Sequence, residues 1–245
     1  MTEKDGRAAD GAEAHAHDHG HAHGHGHPTP PAPEGTEAWG EWVKDYYRDI
    51  ETYDWVAATD KVVGLETFFH RKRAGEARKL ISRWADPARG RILDAGCGTG
   101  LLTRHLPAGS VGVDINPRNV ELASRRLPTH EFLLADVEAL PFPDGSFGTV
   151  LCTEVVEHIP FPDRALREFR RILAPGGVLI GMTPAKNPIW SLRFLSSSCP
   201  HSEPFHNNYT TTEVREMLGA SGLAPTSIRY TFGRLSVAFV AERRP

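Results

Sequence analysis

The sequence feature that most constrains the fold is the segment Arg91–Gly100, which reads RILDAGCGTG. An apolar run ends in Asp94, and Gly96, Gly98 and Gly100 follow at alternate positions. Glycine allows tight turns and close approach of the backbone to a ligand, and the first N–H groups of a helix have no partner within it. Because the helix-prone run LLTRHL comes next, the segment predicts a strand, a glycine turn and a helix start. Its G-x-G-x-G spacing differs from the G-x-G-x-x-G of dinucleotide sites.

Strand and helix patterns alternate after the glycine turn. Short apolar runs predict strands at Ser110–Asp114, Glu131–Ala135, Phe147–Thr153 and Val178–Met182, and helical patterns predict helices at Arg118–Arg126, Asp163–Leu173 and Thr211–Ala220. Two late strands, near Thr226–Thr231 and Leu235–Ala241, lie too close for a helical crossover, so we expect a hairpin with one antiparallel edge strand. The pattern predicts an α/β fold, a doubly wound and mostly parallel seven-stranded sheet with a C-terminal antiparallel hairpin.

The first 35 residues have a composition that cannot bury a core. Seven histidines occupy every second position from His15 to His27, and a proline-rich linker follows. We therefore expect residues 1–35 to be a disordered tail and residues 36–245 to form one folded domain. The tail histidines suit Zn²⁺, Ni²⁺ or Cu²⁺, although metal binding that is incidental to function is the simpler interpretation.

Charge and cysteine content limit the partners and the compartment. The net charge of −3 does not favour nucleic acid, because bulk affinity for phosphate needs a large basic surface. The cysteines Cys97, Cys152 and Cys199 form no C-x-x-C pair. With no signal peptide in front and no apolar run of ~20 residues, we expect a cytoplasmic protein without a transmembrane segment.

Acidic residues close three of the predicted strands. Asp94 ends the first, Asp114 ends the second, and Asp136 directly follows the third. In open α/β sheets, ligands bind beyond the carboxyl ends of the strands. Each acid alone is also explained as a loop or cap residue, but acids at three successive strand ends together with the glycine turn predict a binding site at this edge.

Four pieces of the sequence carry a family resemblance. ILDAGCGTG, VGVDINP, LLADVEALPFPDGSFGTVLCTEVVEHI and LREFRRILAPGGVLIGMTP resemble, in their usual order, the core motifs of class I S-adenosylmethionine-dependent methyltransferases. The resemblance implies a Rossmann-like methyltransferase fold, methyltransferase activity and S-adenosylmethionine as the cofactor. Helix patterns at Glu37–Tyr53 and Phe68–Trp84 precede these motifs, where class I enzymes often place a cap over the active site.

The resemblance also implies roles for individual residues. Gly96 and Gly98 would pass under the methionine portion of the cofactor, and Asp114 would accept the ribose hydroxyls. Asp136 and the backbone of Val137 would take the adenine. The remaining implied cofactor contacts are Asp94 in the first motif, Thr153 at the end of the fourth strand, and Arg73, which begins an Arg-Ala-Gly sequence like one in ubiquinone-pathway enzymes.

A more local resemblance concerns CTEVVEHIP, directly after the fourth predicted strand. It is similar to the corresponding segment of ubiquinone-pathway O-methyltransferases and small-RNA 2′-O-methyltransferases, where E-x-x-E-H supports a divalent metal. The implied ligands of Mg²⁺ or another divalent metal are Glu154, Glu157 and His158, which share one face if the segment is helical. Glu157 and His158 would then act in catalysis, with His206 as a further ligand or general base. The alternative is that this pair only orients the helix or the cofactor.

The expected reaction is O-methylation of a small apolar or aromatic metabolite. The apolar insert Trp190–Leu195 resembles one that faces a lipid-like substrate in ubiquinone enzymes, which allows peripheral contact with a membrane. Methylation of RNA or of nitrogen or carbon atoms remains an alternative, because methyl transfer has no obligatory catalytic signature. A non-catalytic cofactor-binding regulator and a metal carrier that uses the histidine tail are further alternatives.

Overall fold

The structure is a computed structural model that describes residues 29–60, 65–188 and 205–244. The histidine run and the Trp190–Leu195 insert lie outside these described residues, so the interpretations placed on them stay predictions. The helices are Glu37–Asp49 (α1), Trp55–Asp60 (α2), Leu65–Trp84 (α3), Pro117–Arg126 (α4), Pro162–Ile172 (α5) and Thr211–Ala220 (α6). The strands are Ile92–Ala95 (β1), Val111–Asp114 (β2), Glu131–Leu134 (β3), Phe147–Thr153 (β4), Leu173–Pro184 (β5), Ala224–Thr231 (β6) and Ser236–Glu242 (β7).

The strands form one sheet in the order β3-β2-β1-β4-β5-β7-β6. Strands β1 to β5 pair in parallel, and the register places Leu93 of β1 between Val111 of β2 and Val150 of β4. Strand order reverses direction at β1, and such a switch point is where open α/β sheets bind ligands. Apolar side chains on both faces of the sheet are buried under helices. The prediction of a doubly wound, mostly parallel sheet is confirmed.

The C-terminal hairpin forms as predicted, but its antiparallel strand is not at the edge. β7 pairs antiparallel with β5 on one side and with β6 on the other, so β6 is the edge strand. Six consecutive residues of β7 are buried, whereas only the last residue of β6 is. The more apolar strand therefore takes the inner position.

The expected helix directly after the glycine turn is absent. The segment forms turns and only a short 3₁₀ helix, Thr103–His105. Pro107 explains the early stop, because proline disfavours the helical conformation of the residue before it. Leu106 accordingly has extended backbone angles, with φ −88° and ψ 160°.

The N-terminal helix ends earlier than the pattern Glu37–Tyr53 predicts, and a second helix, α2, follows that segment. α1 begins at its N-cap Thr36, whose hydroxyl accepts a hydrogen bond from the backbone N–H of Trp39. It ends at Asp49, because Ile50 has extended backbone angles and its carbonyl accepts a hydrogen bond from the side chain of Asn116. The rest of the predicted segment is extended and leads to α2. Within the described ranges, no helix is both long and apolar enough to cross a membrane.

Candidate active site

The glycine turn follows β1 and packs against the loop that follows β4. Gly96 and Gly98 have positive φ angles of 75° and 52°, which glycine adopts without strain. A Cβ added to Gly96 would lie 2.3 Å from Cγ2 of Val155, and one added to Gly98 would lie 3.5 Å from Trp55. Because these two glycines have no side chain, the loop after β4 packs directly on the turn and α2 approaches it.

Asp94 lies beneath the glycine turn and is 2% exposed. Its Oδ2 accepts a hydrogen bond of 2.6 Å from the hydroxyl of Thr103. Burial, together with the charge of Asp114, raises the pKa of Asp94 to about 6. The side chain thus anchors the 3₁₀ segment and places a second acidic group close to the carboxylate of Asp114.

Asp114 joins the end of β2 to the turn. Its carboxylate accepts hydrogen bonds from the backbone N–H groups of Gly98 and Asn116, both at 2.9 Å, and from the side chain of Asn119 at 3.1 Å. Burial raises its pKa above the usual value. A carboxylate with two oxygens has about four acceptor positions, so three protein donors leave capacity for a ligand hydroxyl.

Asp136 follows β3 and contacts a lysine of α1. Nζ of Lys44 lies 2.9 Å from Oδ2 of Asp136 and 2.9 Å from Oε2 of Glu138. Burial alone would lower the pKa of Lys44, but the two carboxylates outweigh it and raise that pKa. Val137, between the two acids, is partly buried against the core. The residue expected to take adenine is therefore already paired with a cation from the N-terminal helix.

Arg73 and Glu154 form an ion pair between α3 and the end of β4. Glu154 has a positive φ of 57°, and its backbone N–H donates to the carbonyl of Met182 at 2.7 Å. One carboxylate oxygen of Glu154 contacts Arg73, while the other, Oε1, is buried and has no hydrogen-bond partner among the described residues. Thr153, directly before it, ends β4 opposite Met182.

Glu157 and His158 lie in a 3₁₀ helix, Val156–His158. Glu157 is 1% exposed, accepts a hydrogen bond of 3.1 Å from Thr183, and has a pKa raised well above its usual value by burial and by the charge of Glu154. Nδ1 of His158 lies 2.9 Å from the hydroxyl of Tyr47, and its ring centroid lies 5.0 Å from that of His206. The predicted catalytic residues are therefore close together.

Comparison with known proteins identifies the part of the chain that carries these motifs. Residues 93–181 match the methyltransferase domain family. The chain carries a class I methyltransferase domain. It is 42% identical to a phthiotriol/phenolphthiotriol dimycocerosates methyltransferase of Mycobacterium ulcerans over 37% of this chain and 36% of that protein. It is 32% identical to a ubiquinone biosynthesis O-methyltransferase of Cereibacter sphaeroides over 55% of this chain and 60% of that protein.

Solved structures share the fold of this methyltransferase domain. Magnesium protoporphyrin IX methyltransferase from Synechocystis, solved with bound S-adenosylhomocysteine, superposes with a TM-score of 0.66 at 19% identity and covers 83% of this chain and 99% of its own. Geranyl diphosphate C-methyltransferase from Streptomyces coelicolor gives 0.61 at 17% identity and covers 88% of this chain. The matches span 36% of the first of these curated relatives and 60% of the second, which is less than two thirds of either protein.

The expectation that the three predicted metal ligands share one helical face is wrong. Glu154 has left-handed backbone angles and the next residues form a 3₁₀ helix, so the three expected ligands do not share one face of an α-helix. Glu154 is paired with Arg73, and Glu157 is buried against Thr183. In the part of the chain that the structure describes, no three histidine, cysteine or acidic side chains converge as metal ligands would.

Three site residues were not identified from the sequence as functional. Lys44 contacts the acid after β3, Tyr47 contacts His158, and Asn116 donates from its side chain to the carbonyls of Tyr47 and Ile50. Asn116 lies inside the motif VGVDINP, which was the only available signal. For Lys44 and Tyr47 the partners are distant in sequence, and a helical pattern does not specify them.

Proposed function

We propose that this methyltransferase domain transfers a methyl group from S-adenosylmethionine to a hydroxyl oxygen of a small apolar or aromatic acceptor, with His158 as the general base. The observation that carries the proposal is the position of His158. It lies in the 3₁₀ helix after β4, three residues after Val155, which packs on the glycine turn, and it is grouped with Tyr47 and His206.

Acidic groups at the strand ends support a cationic ligand. Asp94 and Asp114 are both buried, and burial raises the pKa of each carboxyl. A positive charge nearby favours the ionised form and offsets the cost of burying it. The sulfonium of S-adenosylmethionine supplies such a charge together with an electrophilic methyl carbon, so the chemistry of this pair of carboxylates suits that cofactor.

Arg73 and Glu154 suit the amino-acid tail of the same cofactor. A guanidinium binds a carboxylate, and the buried Oε1 of Glu154 lacks a donor among the described residues. An α-ammonium group placed beside Oε1 would satisfy it, while Arg73 would bind the α-carboxylate. Asp114 has capacity for a ribose hydroxyl, and Asp136 and Val137 follow β3 where adenine is expected.

In this proposal, His158 alone acts as the base. The nitrogen of a neutral imidazole that carries no proton can accept one. As the acceptor oxygen forms its bond to the methyl carbon and the carbon–sulfur bond breaks, the hydroxyl proton passes to the acceptor nitrogen of His158. General-base assistance of this kind contributes roughly 10²–10⁴-fold in rate. The carboxylates that were expected to bind a metal are paired elsewhere, so the mechanism includes no metal step.

The test uses the full chain and S-adenosylmethionine with a deuterated methyl group. A panel of phenols and apolar alcohols, including catechol and 4-octylphenol, is screened for mass-labelled products by mass spectrometry. We expect labelled methyl ethers, and we expect His158→Asn to lower turnover by at least a hundredfold with cofactor affinity unchanged. His130→Gln is the matched control, since His130 precedes β3 at the opposite edge of the sheet. Labelled carbon–methyl products, or full activity of His158→Asn, would contradict the proposal.

A further inference from the structure

We propose that Tyr47 is a positioning residue that holds His158 in the tautomer with its proton on Nδ1. The inference rests on the proposed role of His158 as the base and adds a residue that neither the motif nor the comparisons assign. It starts from two contacts that the hydroxyl of Tyr47 makes within hydrogen-bond distance. One is the backbone carbonyl of Phe205 at 2.7 Å, and the other is Nδ1 of His158 at 2.9 Å.

The number of protons decides the direction of both hydrogen bonds. A phenolic hydroxyl has one proton to donate, and a backbone carbonyl is only an acceptor. The hydroxyl of Tyr47 must therefore donate to Phe205 for that bond to exist. It can then only accept from His158, so Nδ1 must carry a proton. In a neutral imidazole the other nitrogen, Nε2, is then the acceptor.

This tautomer provides the nitrogen that the proposed reaction needs. Nε2 is the atom that takes the hydroxyl proton of the acceptor, and the imidazolium that forms keeps its Nδ1–H bond to Tyr47. Oε1 of Glu157 lies 3.9 Å from Nε2, beyond hydrogen-bond distance. The other tautomer would turn Nε2 into a donor and remove the base.

The backbone of Tyr47 is itself fixed from the cofactor side. The side-chain amide of Asn116 donates to the carbonyl of Tyr47 at 3.2 Å and to that of Ile50 at 2.9 Å. The backbone N–H of Asn116 donates to Asp114 at 2.9 Å, and Asn116 is 1% exposed. A continuous set of hydrogen bonds thus connects the proposed ribose-binding acid to the residue that orients the proposed base.

The experiment records long-range ¹H–¹⁵N spectra of the full chain with ¹⁵N-labelled histidine, in the presence of S-adenosylhomocysteine. The His158 signals are assigned by their loss in His158→Asn, whose amide can still donate to Tyr47. We expect the Nδ1–H tautomer in the wild type and a shift toward Nε2–H in Tyr47→Phe. Tyr230→Phe, on the edge strand β6, is the control that removes a remote hydroxyl.

Turnover is measured in parallel with the best acceptor from the phenol panel. We expect Tyr47→Phe to lower kcat by about tenfold to a hundredfold, with the Kd of S-adenosylhomocysteine unchanged by calorimetry. A wild-type Nε2–H tautomer would overturn the inference and leave the proposed function standing. Unchanged kcat in Tyr47→Phe despite an altered tautomer would also overturn it. Full activity of His158→Asn would instead overturn the proposed function, while the tautomer result would still be decided by the spectra.

Discussion

The ammonium group of Lys44 lies 2.9 Å from a carboxylate oxygen of Asp136, so a cation on α1 is paired with the acid that follows β3. The same ammonium contacts Glu138, whose side chain is 3% exposed. The N-terminal helix is thereby attached electrostatically to the edge of the sheet where adenine is expected. The side chains of Lys44 and Glu138 are both buried, so removal of either one leaves a buried charge without its partner.

We expect Lys44→Met to destabilise the protein. The substitution leaves a buried carboxylate at Glu138 without its counter-charge, and losing one partner of a buried pair costs roughly 3–5 kcal/mol. Lys79→Met is the matched control, because Lys79 is 73% exposed and pairs on the surface with Glu76. Urea unfolding should show a loss of about 3 kcal/mol for Lys44→Met and under ~1 kcal/mol for the control.

The loss in Lys44→Met should shrink at acidic pH. Burial already raises the pKa of Glu138, and Lys44 is the group that opposes this rise. Without the lysine, the carboxyl takes up a proton at a higher pH, which removes the uncompensated charge. A loss of stability that is equal at pH 5 and pH 8 would contradict an electrostatic role for Lys44.

The sheet and the glycine turn were predictable because their signals are local. Asp94 and Asp114 end apolar runs, and the alternating glycines specify positive φ angles without reference to distant residues. The contact between Tyr47 and His158 was not predictable, because the two residues are 111 positions apart and packing of α1 decides their distance. The expectation that Glu154, Glu157 and His158 share one helical face was wrong for a local reason, since E-x-x-E-H gives one face only in an α-helix and the segment forms a 3₁₀ helix.

Gly96→Ala tests how closely the loop after β4 must pack. The new Cβ would lie 2.3 Å from Cγ2 of Val155, and the φ of 75° is unfavourable for any residue with a side chain. Overpacking and backbone strain together should cost at least about 2 kcal/mol. Gly75→Ala, within α3 and with no atom within 4 Å of the added Cβ, should instead stabilise by roughly 0.5–1 kcal/mol.

A second substitution separates the two causes in Gly96→Ala. Val155→Ala in that background removes the overlapping methyl groups and leaves the backbone strain. We expect thermal unfolding to show partial recovery of the melting temperature. Full recovery would mean that strain at this position is negligible, and equal stability of Gly96→Ala and wild type would disprove the close packing.

The raised pKa of Asp94 predicts that the free energy of unfolding depends on pH. Its folded-state pKa is about 6, above the ordinary value of 3.8, so the folded state binds this proton more tightly than the unfolded state does. Stability contributed by the protonated group is complete below pH ~4 and is lost as the pH rises through 6, about 3 kcal/mol in all. Asp94→Asn should therefore gain stability over the wild type at pH 7 and lose that gain at pH 4. Asp144→Asn, at a carboxylate that is 74% exposed, should show no such gain.

The same carboxyl predicts how pH affects ligand binding. A cation binds more tightly to the ionised form of Asp94, so the affinity for S-adenosylmethionine should rise as the pH increases from 5 to 7, by about fivefold if binding lowers the pKa of Asp94 by one unit from about 6. S-adenosylhomocysteine lacks the sulfonium charge, and its affinity should change less. Calorimetry at several pH values compares the two ligands. Identical pH profiles would show that Asp94 does not sense the sulfonium.

Glu154→Gln separates a role in binding the amino-acid tail from a role in metal binding. The amide keeps the shape of the side chain but loses the charge that pairs with Arg73 and would pair with an α-ammonium group. Because that tail is common to both ligands, we expect S-adenosylmethionine and S-adenosylhomocysteine to lose affinity alike, by about tenfold or ~1.4 kcal/mol. Glu131→Gln, at an exposed ion pair with Arg91, is the matched control and should bind both ligands normally.

EDTA should leave turnover of the wild type unchanged, since Glu154 and Glu157 are directed to Arg73 and Thr183. Loss of turnover in EDTA that Mg²⁺ restores, with normal cofactor affinity in Glu154→Gln, would contradict this assignment and support the metal site.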